Sequence, residues 1–359
     1  MIELFEKYGD KIAVFSKSET LSYSQLCRRV CYIKGTLELG TIAICMKHGI
    51  DYLIYMLAAI ENGNSVFLLN PSSKSDSLKY LEENHIPVYT DEASKKNIIG
   101  MYVSELLLDT FHDYDSISKE EVEMNFSADM KANIILSTSG TTSETVKYVK
   151  IPVNNMILKS HMISEYLNIR EDDVNFFISP LCFVQTIWTS FIHLFKGASL
   201  FFSEFVPKRF DEMLKDYGIT TIVTVPAVIR GIIDNNMSSY SLRLVSIGGD
   251  YMDEKLLKKL KEKWPKVLYA NVYGATETCA ADTILSPREF GNLDESYYTL
   301  GSTTCFSKVF ITNSSGEVIR RNEIGNICIQ SPFLIDKYLN VKKEIRNANG
   351  YFVFLNPFL

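Results

Sequence analysis

The sequence lacks any apolar run long enough to span a bilayer. One of its most apolar segments, residues 219–233, is interrupted by Pro226 and Arg230 and falls short of the ~20 residues a crossing helix needs. No basic start followed by an apolar core marks the N-terminus, so no signal peptide is read there. Positive charge is not in excess. With 37 Lys and Arg against 43 Asp and Glu, the net charge is −6. That argues against a nucleic-acid backbone or an anionic membrane as the main partner, because both attract basic surfaces. A local basic pocket remains compatible with it. The seven cysteines are irregularly spaced and form no C-x-x-C pair, which suits reduced thiols in a cytoplasmic protein. The five histidines are scattered, so no zinc site is read. The G-x-x-x-x-G-K phosphate loop is absent as well.

What is present is ordinary globular composition, 46% hydrophobic and 22% charged over 359 residues. Short β-branched runs such as 41–46, 65–69, 133–137, 220–225 and 267–273 alternate with segments whose apolar residues recur every three or four positions. Nearly continuous apolar strands separated by amphipathic helices indicate parallel sheets covered on both faces. The expected fold is α/β: two doubly wound subdomains and a small β-rich C-terminal part. Expected boundaries are 1–172, 173–292 and 293–359. Residues 90–132 are polar and read as a surface excursion.

Two stretches carry the chemistry. The first, residues 137–142, reads STSGTT and follows a predicted strand. From 138 to 143 it offers five hydroxyls and one glycine. A loop of that kind beyond the carboxyl end of a strand presents O–H and N–H donors to phosphate oxygens. The plainer reading is a Ser/Thr-rich turn. The second, residues 271–278, reads NVYGATET and puts an aromatic ring, a glycine, hydroxyls and a carboxylate on one turn. A purine needs a flat apolar face, and a hard cation with polyphosphate needs a carboxylate oxygen. The alternative is a helix N-terminus capped by Thr276, with Glu277 in its first turn.

In this order and at this distance, the two stretches resemble the adenylate-forming enzymes: acyl- and aryl-CoA synthetases, nonribosomal peptide synthetase adenylation domains and luciferases. Supporting blocks at 21–26, 61–71 and 323–340 fall in the right order, so the resemblance covers essentially the whole chain. It implies that Ser139, Gly140, Thr141 and Thr142 bind phosphate, with Thr138 beside them at the reacting centre. Tyr273 stacks on adenine. Thr276 lies near the α-phosphate and the substrate carboxylate, and Glu277 ligates Mg²⁺. Gly248, Gly249, Asp250, Asn271 and Gly274 line the nucleotide. The family pattern S-G-T-T-G-x-P-K is met imperfectly. Ser143 replaces its second glycine, its proline is missing, and Lys147 matches the lysine only if one residue is inserted, Val146 otherwise standing there.

The acid pocket is expected around Phe183, Val184, Trp188 and Ala275. Amino-acid-activating members place an aspartate where Val184 stands. A buried ammonium there would lack its counter-charge, at a cost of roughly a hundredfold in binding or more. An aryl, hydroxy, keto or fatty acid fits better than an α-amino acid. The resemblance also implies ATP and Mg²⁺ as cofactors, with coenzyme A or a carrier-protein phosphopantetheine as acyl acceptor. A C-terminal lid should supply a charge-neutralising lysine, and none follows here. Asn356 stands where the family has a ribose-binding aspartate. Losing one well-placed charge donor costs about 10²–10³ in rate, so the lone chain is expected to bind ATP and turn over slowly. Three explanations stay open: a chain cut before its lid, a lid domain in trans, or lost catalysis. The last would leave a degenerate nucleotide-binding or interaction module.

Overall fold

The computed structural model describes residues 3–72, 75–91, 94, 131–138, 146–291, 299–319, 323–342, 345 and 352–354. Residues 139–143, Asn356 and most of the polar stretch 90–132 lie outside these, and with them the expected phosphate contacts of Ser139, Gly140, Thr141 and Thr142.

Strands β1 (Ile12–Phe15) and β2 (Thr20–Ser22) form an antiparallel hairpin. The next strands are β3 (Thr41–Cys45), β4 (Ser65–Leu69), β5 (Val88–Thr90), β6 (Asn133–Thr138) and β7 (Lys147–Pro152). They build a five-stranded sheet ordered β5-β3-β4-β6-β7. It is parallel except for β7, which returns antiparallel to β6 and pairs Lys147 with Thr138. The apolar runs of β3 and β4 are buried at all but their first residues, as a sheet covered on both faces requires. Helix Tyr23–Lys34 starts on a reciprocal cap: Gln25 N–H donates to Ser22 Oγ, and Ser22 N–H donates to Gln25 Oε1.

The larger sheet contains β8 (Val174–Phe177), β9 (Ser199–Phe201), β10 (Thr221–Thr224), β11 (Leu244–Gly248), β12 (Leu268–Tyr273), β13 (Thr283–Leu285) and β14 (Ser302–Thr303). Its order is β14-β13-β12-β11-β10-β8-β9-β1-β2. The N-terminal hairpin therefore joins this sheet beside β9, pairing Val14 with Leu200 and Phe15 with Phe201. Sheet membership does not follow chain order. Strands β15 (Lys308–Thr312), β16 (Asn326–Gln330) and β17 (Phe352–Phe354) form a small antiparallel sheet. The α/β architecture with a small β-rich end is the one expected. One local expectation is corrected. Thr138 belongs to β6 rather than to the loop after it, because its backbone pairs across the hairpin with Lys147. No described helix is long and apolar enough to cross a membrane.

His193, fully buried on helix Val184–Lys196, is held by the Thr189 carbonyl at 2.8 Å and the Thr221 hydroxyl at 3.0 Å. Burial lowers its pKa to about 4. An unfolded histidine titrates near 6.5, so between these values the unfolded chain binds a proton that the folded chain refuses. Its stability contribution is present above pH 6.5 and is lost as pH falls toward 4, by about 1.4 kcal/mol per pH unit. His193→Gln is expected to flatten the pH dependence of unfolding by that amount. Urea titrations between pH 7 and 5 measure it, and an unchanged slope rules out this origin.

Candidate active site

Strands β8, β10, β11 and β12 run parallel and in register, so their carboxyl ends lie along one edge. Three of the segments that follow them are those singled out in the sequence: the stretch around 183–188 after β8, Gly248-Gly249-Asp250 after β11, and Gly274–Thr278 after β12; Val225-Pro226 follows β10. Ligands of open α/β sheets bind at such an edge.

Close approach explains the glycines. A Cβ on Gly248, the last residue of β11, would lie 2.6 Å from the Val272 carbonyl oxygen of β12. Gly249 adopts a left-handed φ of +78°, and a Cβ there would sit 3.5 Å from both Gln185 Oε1 and Val225 Cγ1. The glycine turn thus faces the start of helix Val184–Lys196. Gln185, not anticipated from sequence, also lies 3.4 Å from Ser179 Oγ through its Nε2. Of the expected pocket residues, Phe183 is exposed, Val184 half-buried and packed against the core, and Ala275 buried. Trp188 is fully buried, and its indole N–H has no partner among the described residues. Asn271 is buried within β12, and Asp250 is exposed, accepting a bond from the Tyr251 N–H.

Tyr273 ends β12, half-buried. Burial and then the nearby Asp282 raise its phenol pKa above the ordinary value. Residues 276–278 form a single 3₁₀ turn rather than the start of a longer helix. Thr278, not Thr276, closes this turn: its hydroxyl oxygen accepts from the Ala275 N–H. Cys279, Ala280 and Ala281 then all adopt left-handed φ angles of 63°, 60° and 52°. Each costs roughly 1–2 kcal/mol for an L-residue, and such conformations persist only where the surroundings over-determine them.

Lys159 supplies much of that determination. It is buried at 0% exposure on helix Val153–Leu167, which follows β7 directly. Its ammonium donates to the Ala281 carbonyl at 3.1 Å, Asp282 Oδ1 at 3.4 Å and Ser307 Oγ at 3.4 Å, and sits 5.1 Å from the Phe333 ring centre. Asp282 also accepts from Ser307 at 2.8 Å and from Thr278. Burial pushes the Asp282 carboxyl above the usual carboxylate range, while Lys159 and these hydroxyl bonds pull the other way. One turn earlier on the same helix, Met156 Sδ lies 3.8 Å from Cys279 Sγ. Neither Lys159 nor Asp282 was singled out from sequence. A lysine on the buried stripe with Met156 and Ile163 was the available signal.

Gly274 fits only as glycine, although its φ is not left-handed. A Cβ would meet Ala281 N at 2.5 Å and Ala280 C at 2.8 Å. Gly274→Ala is expected to cost about 1–3 kcal/mol through forced backbone shifts. Denaturant midpoints at constant slope check this, and a value at wild type refutes the crowding.

Strand β7 reaches the same turn. Lys147 is buried opposite Thr138, with its ammonium 5.5 Å from the Tyr338 ring centre. The Tyr338 hydroxyl in turn donates to Glu277 Oε1 at 2.7 Å. Burial and the adjacent Glu277 raise the Tyr338 pKa, so the phenol stays a donor. The Thr138 hydroxyl is buried without a partner among the described residues. These residue types suit a magnesium nucleotide: a hydroxyl without a partner among the described residues, a lysine cross-strand from it, and a carboxylate linked to that lysine through Tyr338. Mg²⁺ takes one or two carboxylates and completes its shell with phosphate oxygens and water.

The profile of the AMP-binding enzyme family matches residues 3–339. The chain is 22% identical over 358 residues to bacitracin synthase 3 of Bacillus licheniformis, covering 94% of this chain and 5% of that protein. It is 24% identical over 374 residues to gramicidin S synthase 2 of Brevibacillus brevis, covering 99% and 8%. It therefore spans only a small part of the length of these curated relatives. Among solved structures, VinN superposes with a TM-score of 0.81 at 16% identity, covering 99% of this chain and 95% of that one. The o-succinylbenzoate coenzyme A synthetase of Bacillus subtilis, in complex with ATP and magnesium ion, superposes with a TM-score of 0.77 at 20% identity, covering 98% and 75%. With this fold, this site and a family match over nearly its whole length, the chain belongs to the AMP-binding enzyme family.

Proposed function

We propose that this chain is the nucleotide- and acid-binding core of a ligase that activates a carboxylic acid with ATP. A carboxylate oxygen of the acid bonds to the α-phosphorus, the bond from that phosphorus to the bridging oxygen breaks, and pyrophosphate leaves with that oxygen and its electron pair. The product is an acyl-adenylate. The acyl group then passes to a thiol, of coenzyme A or of a carrier-protein phosphopantetheine, with AMP departing. A lid domain, on the same polypeptide or in trans, completes the site.

The observation that carries this reading is that Tyr338 touches both Glu277 and Lys147, the cross-strand partner of Thr138, while Gly249 and the start of helix Val184–Lys196 meet at the end of the neighbouring strand β11. Residues 139–142 are assigned to the phosphates, Tyr273 to adenine and Thr276 to the α-phosphate and the acid's carboxylate. Glu277 would hold Mg²⁺, which supplies charge neutralisation on the phosphates. No protein nucleophile is required, because positioning and electrostatics suffice for such a displacement. Val184, standing where amino-acid-activating members have an aspartate, favours an acid without an α-amino group. Relatives named bacitracin synthase 3 and gramicidin S synthase 2, and a neighbour named as a coenzyme A synthetase, leave both candidate acceptors open.

ATP–pyrophosphate exchange over a panel of aryl, hydroxy, keto, fatty and amino acids, with a lid domain added, tests the reading. Exchange with one non-amino acid is expected. Tight ATP binding without exchange for any acid would instead mark a nucleotide-binding module that has lost catalysis.

A further inference from the structure

We propose that Tyr338 is a positioning residue for the Glu277 carboxylate, carried on a strap that joins the metal-binding turn to the phosphate hairpin. The inference rests on the metal role proposed for Glu277. The strap is the segment from Ser331 to Asn340 that leaves β16. It grips Glu277 twice: the Ile335 N–H donates to the Glu277 carbonyl at 2.9 Å, and the Tyr338 hydroxyl donates to Oε1 at 2.7 Å. It grips β7 and Val146 just before it through four further contacts. Tyr338 pairs antiparallel with Val149, and the Leu339 N–H donates to the Tyr148 carbonyl at 3.0 Å. Asn340 accepts from the Tyr148 N–H at 3.0 Å and donates to the Val146 carbonyl at 2.6 Å.

The strap thus satisfies edge groups of β7 as a short extra strand would, while its tyrosine reaches across to the carboxylate. Glutamate has three rotatable side-chain bonds, and on a single 3₁₀ turn nothing local fixes them. Tyr338, only 6% exposed and itself locked in the core, removes that freedom. Its bond engages one carboxylate oxygen, and Oε2 has no hydrogen-bond donor among the described residues. A cation bound by one carboxylate and by phosphates needs a set distance between the two. Here one rigid segment touches both the carboxylate and the strand that delivers the phosphate loop.

The test measures ATP binding against Mg²⁺ concentration for wild type, Tyr338→Phe and Asn340→Ala, with thermal melts of each. Tyr338→Phe keeps the ring and removes one donor to a charged group, so half-saturating Mg²⁺ should rise roughly tenfold or more. Asn340→Ala loosens the strap at its far anchor but keeps the Tyr338 donor, so it should lower the melting temperature and raise the Mg²⁺ midpoint by much less than Tyr338→Phe does. In a Glu277→Gln background, Tyr338→Phe should add nothing. An unchanged or lowered Mg²⁺ midpoint in Tyr338→Phe overturns the proposal, and so does an equal shift in Asn340→Ala, which would make the effect generic loosening. Wild-type ATP binding indifferent to Mg²⁺ is a separate result, and it removes the metal role of Glu277 itself.

Discussion

Replacing Lys159 by methionine is expected to destabilise the fold by about 3–5 kcal/mol, the usual cost of leaving one member of a buried ion pair without its partner. Both side chains are 0% exposed, so water cannot replace the lost ammonium. Methionine fills much of the same volume, so the loss reports charge and hydrogen bonding rather than a cavity. Three acceptors lose a donor at once: the Ala281 carbonyl, Asp282 and Ser307. The Ala281 carbonyl keeps its bond from Thr304 at 2.7 Å, but the left-handed run 279–281 loses its anchor to helix Val153–Leu167. Removing the acid as well, in Lys159→Met with Asp282→Leu, should recover most of the stability, since apolar replacement of a buried pair is often neutral. The turn would still lack its tether, so nucleotide binding should stay weak in the recovered protein. Chemical denaturation and nucleotide titration of both variants separate the two effects. A loss below about 1 kcal/mol in the single variant, the range of exposed pairs, would mean the pair contributes little.

Glu277→Gln is expected to cut exchange activity by about 10²–10³ at fixed Mg²⁺, the usual loss on removing one preorganised charge from a reacting centre. An amide carries no charge to offset a divalent cation. The change should leave the fold intact, because the glutamine carbonyl can still accept the Tyr338 hydroxyl and the backbone bond from Ile335 is untouched. Raising Mg²⁺ should restore part of the activity. Unaltered exchange at low Mg²⁺, with an unaltered melting temperature, would remove Glu277 from the metal site.

The alternation of apolar runs with amphipathic segments was enough to read two wound sheets, since burial on both faces leaves a direct mark on composition. The YGATET turn was legible because its residues are contiguous and each residue type suggests a separate role. Gly274 illustrates the limit: its presence was visible, but its reason is the backbone of residues 280 and 281 folding back within 3 Å. Tyr338 was visible only as part of the supporting block 323–340, because its partner Glu277 lies 61 residues earlier. Lys159 and Asp282 are 123 residues apart and belong to no shared pattern. The same holds for the hairpin β1–β2, which joins the sheet of the second half of the chain beside β9.

By itself the sequence determined the α/β class, the family and the two stretches where nucleotide chemistry is expected, because each of these is written in residues close together along the chain. Only the tertiary structure decided how the second stretch is held: the buried lysine under its turn, the tyrosine strap between it and β7, the close approach that requires glycine. Such contacts join residues far apart in sequence, and their energy comes from burial and distance, which exist only once the chain has folded.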